Sequence, residues 1–132
     1  MNDYVIINNS LKFPAKFAIT PKEQEAGLMN CLEPIIMAFP SQKSIKSFWM
    51  KNTPMPLDLI FACDGVIVDC LPGVPFSLER ICPKNESDLV VEFPKGLLNY
   101  FPINIGDPIE LQYSIKTMAK KYDLNLQKRG AL

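Results

Sequence analysis

Hydrophobic and polar positions alternate strictly in two stretches of the chain. Leu11, Phe13, Ala15, Phe17 and Ile19 are interleaved with Lys12, Pro14, Lys16 and Ala18, so residues 11–19 read as a half-buried strand. Pro14 has no N–H to give to a ladder, which places this strand at an edge or a bulge. Ile109, Leu111, Tyr113 and Ile115 alternate with Glu110, Gln112, Ser114 and Lys116, the cleanest strand pattern in the chain. Between these stretches, the runs LDLIFAC and VIVDCLP flank Cys63-Asp64-Gly65-Val66. Asp-Gly favours a two-residue hairpin turn, because both turn residues tolerate positive φ. With Cys63 opposite Val66, Phe61 faces Val68, Ile60 faces Asp69 and Leu59 faces Cys70. Leu57, Leu59, Phe61, Val66, Val68 and Cys70 then form the core face. Asp58 and Asp69 fall among Ile60, Ala62, Ile67 and Leu71 on the other face, where a carboxylate needs partners or water.

Helical spacing is rarer. Thr20-Pro21-Lys22-Glu23 carries a capping hydroxyl, a proline at the first helical position and a glutamate three residues after the cap. This capping box predicts a helix of two to three turns through Met29. A short helical turn is expected over 96–100. Ile115, Met118, Ala119 and Tyr122 lie at helical spacing and predict a small amphipathic helix in the tail, with QKRGAL as a solvated or partner-bound end. Twelve prolines punctuate the remaining short apolar runs. The pattern predicts a mainly all-β chain, a β-sandwich or jelly-roll-like domain with one principal short helix near residues 21–30.

Composition narrows the chemistry. At 132 residues the chain fits one domain, with a core over about 11–113 and a tail at 116–132. Fourteen basic residues balance fourteen acidic ones, so charge gives no argument for nucleic acid or an anionic membrane as partner. No apolar stretch approaches the length of a membrane span. Asn2, Asp3, Asn8, Asn9 and Lys12 interrupt the first twenty residues, and no signal peptide is read there. The expected location is the cytoplasm or the interior of a macromolecular particle. Cys31, Cys63, Cys70 and Cys82 show no Cys-x-x-Cys spacing and are expected to be reduced thiols in a core, with Cys82 the most exposed. The absence of histidine removes Ser-His-Asp and Cys-His catalysis and every histidine-ligated metal site. No metal or cofactor is expected.

The most specific string is Phe48-Trp49-Met50-Lys51-Asn52-Thr53, followed by Pro56-Leu57-Asp58 and Phe61. Gly27-Leu28-Met29 precedes it, and Val91-Glu92-Phe93-Pro94-Lys95-Gly96 and Gly106-Asp107 follow. These landmarks, in this order over about residues 11–113, resemble the domain-of-unknown-function family numbered 192. The resemblance implies a β-sandwich and no established reaction. Two departures stand out: Asn30 and Cys31 follow Gly-Leu-Met where an arginine is usual, and Ile35-Ile36-Met37-Ala38-Phe39 replaces the usual Gly-Met-Leu-Phe. A ligand site that used that arginine would be altered here.

The candidate ligand- or structure-defining residues are Trp49, Lys51, Asn52, Thr53, Asp58, Asp69, Glu92 and Asp107. Asn52 and Thr53 fit a turn after a strand end, and Lys51 is expected to pair with Asp58 across the bend at Pro54–Pro56. In a sharper reading, Lys51, Asp58 and Asp69 line a small polar pocket. Glu92 and Asp107 lack the spacing of a calcium loop, and a turn-forming role suits Asp107 after Gly106. The lysines of MAKKY fit a solvated face. Two functions are carried forward. One is a non-catalytic binding or assembly module that self-associates or joins a protein partner, for example within a viral particle. The other is a small ligand-binding protein or enzyme using Lys51 with Asp58, Asp69 or Glu92.

Overall fold

The computed structural model describes residues 2–130. Seven strands carry the chain: β1 (Asp3–Ile7), β2 (Leu11–Phe17), β3 (Met37–Ser44), β4 (Leu57–Cys63), β5 (Val66–Gly73), β6 (Ser87–Pro94) and β7 (Ile109–Gln112). They form one sheet in the order β5-β4-β6-β3-β2-β1-β7. All pairs are antiparallel except β2 with β3. The sheet curls until its two edge strands meet. Val66 bridges Pro108, Ile67 N donates to Asp107 O at 3.0 Å, and Ile109 N donates to Gly65 O at 2.9 Å. The fold is therefore mainly β, one curled sheet whose opposite walls enclose a core between them.

Two cores result. Val5, Ile7, Phe13 and Ile109 pack against Ile60, Val91 and Phe93 inside the curl. Met37, Phe39, Leu57, Leu59, Phe61 and Val90 lie on the outer face of β3, β6 and β4, beneath Leu28 and Met50. The central strands are thus buried on both sides, which accounts for their near-continuous apolar runs. Pro14 is accommodated because β3 pairs with β2 only from Lys16 onward, leaving β2 a local edge at the proline.

The Asp-Gly hairpin forms with Cys63 opposite Val66, but its register shifts beyond Ala62 and Ile67. Phe61 pairs with Asp69, Ile60 with Cys70 and Leu59 with Leu71, so a bulge at Val68 displaces the expected pairing by one residue. Ile67 consequently joins the inner core, Val68 packs on the outer one, and Cys70 is exposed rather than core. The other thiols are not core residues either: Cys31 and Cys63 are half-buried and Cys82 is exposed.

The capping box is present in full at α1 (Pro21–Ala26), with Glu23 N donating to Thr20 Oγ1 and Thr20 N to Glu23 Oε1. The helix is shorter than its expected end at Met29, because Gly27 adopts φ 49° and turns the chain away. A 3₁₀ turn occupies Leu97–Tyr100, as expected. The tail forms α2 (Ile115–Lys128), capped by Ser114. It docks by polar contacts: Thr117 Oγ1 donates to Asp3 Oδ2 at 2.7 Å, and Lys120 meets Glu23 at 3.0 Å. Lys120 thus pairs with Glu23 while its side chain stays 41% exposed, and Lys121 is exposed. Ile115, Met118 and Tyr122, the expected packing stripe, are instead exposed. Of the terminal QKRGAL segment, Ala131 and Leu132 lie outside the described residues. No described helix is long and apolar enough to cross a membrane.

Candidate functional site

The motif loop is built as a clasp. Phe48 and Ile81 exchange two backbone hydrogen bonds, of 3.1 and 2.7 Å. The Phe48 ring meets Phe39 and Phe61 edge-on, at 5.6 and 6.2 Å between centroids. Met50 is fully buried, and its sulfur lies 2.7 Å from where a side chain on Gly73 would begin. A side chain there would have to displace the end of Met50. Beyond this anchor the chain reverses. Thr53 N donates to Met50 O at 3.0 Å, the Thr53 hydroxyl donates to Lys51 O at 3.2 Å, and Asn52 takes φ 55°. Asparagine tolerates this left-handed conformation better than most residues, so Asn52 and Thr53 are turn formers. Asn30 N donates to Asn52 O at 2.7 Å, and Phe76 N to Thr53 O at 3.1 Å, fixing the turn from two sides. Phe76 is itself held at φ 62°, a strained conformation for a bulky residue.

Between this clasp, α1 with its following turn, and β6 lies a cleft of about 790 Å³. Trp49, Lys51 and Arg80 line it along with Lys22 and Lys46. The Arg80 guanidinium lies 4.2 Å and the Lys51 ammonium 5.1 Å from the Trp49 ring centre, within cation–π range. Gly27 and Leu28 form part of the wall. Gln24 braces that wall by donating to Ala18 O and Pro40 O, at 3.0 and 2.8 Å.

The deep end of the cleft belongs to Glu92. On β6, Leu89, Val91 and Phe93 turn into the inner core, so Glu92 shares the outer face with Val90. It is 5% exposed, and no described residue forms a hydrogen bond with its carboxylate. Burial pushes its pKa up from 4.5 to about 7. An acid so placed is a hydrogen-bonding group presented to whatever enters the cleft. In contrast, burial alone would raise Glu23, but the backbone N–H of Thr20, the Lys120 ammonium and the N–H of Ile19 outweigh it and hold the group at about 2.

The candidates divide accordingly. Trp49, Lys51, Asn52, Thr53 and Glu92 meet at the cleft, while Asp58, Asp69 and Asp107 do not line it. Asp58 accepts from Gly96 N at 3.2 Å and makes no ion pair with Lys51, so the expected pair across the proline bend is absent. The bend carries Lys51 toward Trp49, on the outer side of the sheet. Asp69 accepts from Cys70 N at 2.9 Å. Asp107 organises a turn, accepting from Asn104 N at 2.7 Å and Asn8 Nδ2 at 3.0 Å. Arg80 was not anticipated. Its position in SLERIC gives no periodic signal, and only the Phe48–Ile81 bridge brings it beside Trp49. Elsewhere, the Cys63 thiol and the Asp64 and Asp88 carboxylates place ligand atoms within 4.8 Å of one another. There the Lys43 ammonium, 2.8 Å from Asp64, already supplies positive charge.

The landmarks that converge on this cleft are those of one family. Residues 4–111 match the model of DUF192, described as "Uncharacterized ACR", and the chain belongs to that family. Two solved structures share its fold. A protein of unknown function from Novosphingobium aromaticivorans is 28% identical with a TM-score of 0.75, over 81% of this chain and 83% of its own. A Sinorhizobium meliloti protein, given the provisional description of a transcription regulator, is 27% identical with a TM-score of 0.76, over 83% of this chain and 93% of its own. No protein of curated function matches the chain.

Proposed function

We propose that this protein is a non-catalytic binding module whose ligand is a small molecule held in the cleft above Glu92. The observation that carries the reading is the Glu92 carboxyl, buried at the deep end of the cleft without a hydrogen-bond partner among the described residues. A carboxyl that is open to a cleft takes its hydrogen bonds from water or from whatever occupies the cleft. The cleft lies within the range of small-molecule sites, roughly 300–1,000 Å³. The pocket once expected at Lys51, Asp58 and Asp69 is replaced in this reading by Lys51, Trp49 and Glu92.

A fragment screen read by proton–nitrogen correlation spectra tests this. Hits should collect on the Trp49 indole and the Lys51 and Asn52 amides, and should disappear in Glu92→Leu. Hits elsewhere, or hits indifferent to Glu92, overturn the reading. A second reading, assembly with a protein partner or another copy, draws on the exposed Ile115, Met118 and Tyr122 of α2. Light scattering that gives a monomer at high concentration removes self-association from that reading.

A further inference from the structure

We propose that the cleft takes a small polyhydroxylated anion, such as a sugar acid or sugar phosphate, with a hydroxyl on Glu92 and the acidic group at Lys51 and Arg80. This rests on the ligand-binding reading above and adds the chemical class. Four cationic side chains line the cleft, Lys22, Lys46, Lys51 and Arg80, against two acidic ones, Glu25 and Glu92. Lys46 is already engaged, donating to Gln42 O and Ser44 Oγ. Lys51 and Arg80 form no ion pair with any described residue, and both lie against the Trp49 ring, which gathers two unneutralised cations at one place. A carboxylate or phosphate suits that pair, as guanidinium and ammonium groups bind such oxygens by charge-assisted hydrogen bonds.

Glu92 is a separate subsite. Desolvation is what raises its pKa, with no cation offsetting it, so the charges around Trp49 do not neutralise this carboxyl. A second anionic group is unsuited to that end. An ammonium would be matched only by the ionised form. A hydroxyl is matched by either form, because a protonated carboxyl both donates and accepts. The Asn52 amide on the cleft wall offers a donor and an acceptor to a neighbouring hydroxyl. The ligand is therefore acidic at one end and hydroxylated at the other.

Titration of the full chain with glucuronate, glucose, inorganic phosphate and lysine separates these terms. Glucuronate should shift the Trp49 indole resonance and bind about tenfold tighter than glucose or phosphate, the loss expected when one charge-assisted contact is missing. Lys51→Met with Arg80→Met, both at exposed positions, should bring glucuronate down to the affinity of glucose. Glu92→Gln should retain binding and Glu92→Leu lose it, with spectral dispersion confirming that both variants are folded. Glucose or phosphate binding as tightly as glucuronate overturns the assigned class. Lysine or neutral fragments filling the cleft while glucuronate does not also overturn it, but leave the ligand-binding reading standing. An empty cleft against every probe and fragment removes both.

Discussion

The two faces of the β3–β6–β4 wall are built from the same strands and have different fates. On the inner face, Ala38, Val91, Phe93 and Ile60 meet the opposite wall of the same sheet and are sealed. On the outer face, Met37, Val90, Leu59 and Phe61 are covered by loop residues: Leu28 in the turn after α1, Phe48 and Met50 of the clasp, and the partly buried Cys31, Ile35, Met55 and Ile81. A sheet is a continuous lid; a set of loops is not. The gap between them is the cleft, and Glu92 fills the one outer-face position of β6 that opens into it. Both faces carry fully buried apolar side chains, and only on the outer one does a cleft open beside them, at Glu92.

The sealed inner face should be costly to disturb. Phe93 is fully buried and meets Phe13 edge-on at 5.5 Å. Phe93→Ala should cost about 3–5 kcal/mol in denaturant unfolding; a loss below about 1 kcal/mol would show that the inner core is not packed as described.

On the outer face, Glu92 couples stability to pH. Its folded pKa of about 7 lies above the unfolded 4.5, so the native state keeps a proton that the unfolded chain releases. The contribution of Glu92 to the unfolding free energy should therefore be full below pH 4.5 and be lost as pH rises through 7, whereas that of Glu23 is full above 4.5 and is lost as pH falls toward 2. At about 1.4 kcal/mol per unit, the loss for Glu92 is roughly 3 kcal/mol. Glu92→Gln should remove this contribution and be the more stable protein at pH 8. Unchanged pH dependence in Glu92→Gln would contradict it.

The cleft wall depends on a smaller term. Thr20→Ala removes the hydroxyl that accepts from Glu23 N and should cost about 1 kcal/mol, seen as a lower melting temperature with β-rich circular dichroism retained. The smallest effect belongs to the pair that the structure does not form. Lys51→Met and Asp58→Asn, in a double-mutant cycle, should show coupling within about 0.5 kcal/mol. A coupling of several kcal/mol would restore the buried ion pair.

Legibility in the sequence followed the range of the interaction. The cap of α1, the Asp-Gly turn and the alternation at β7 depend on residues a few positions apart, and all were readable. The bulge at Val68 was not, since it answers to β4 and leaves no mark in VIVDC. Nor was the docking of α2, which follows Asp3 and Glu23 and so turns its apolar stripe outward. Local spacing likewise favoured pairing Lys51 with Asp58, because it cannot see to which side of a sheet a proline bend sends a lysine. Glu92 carried a fuller signal than was used. One acid inside LVVEFP, a run apolar on both alternations, marks a charge at a position buried on either face of a central strand.

The central claim is that Glu92 is a desolvated, unpartnered acid at the deep end of the cleft. Carbon-detected NMR titration of its side-chain carboxyl, with Glu92→Gln for assignment, measures this directly. A midpoint near 7 is the predicted result; a midpoint at the ordinary 4.5 would show that water or an ionic partner reaches the carboxylate, and would contradict the account.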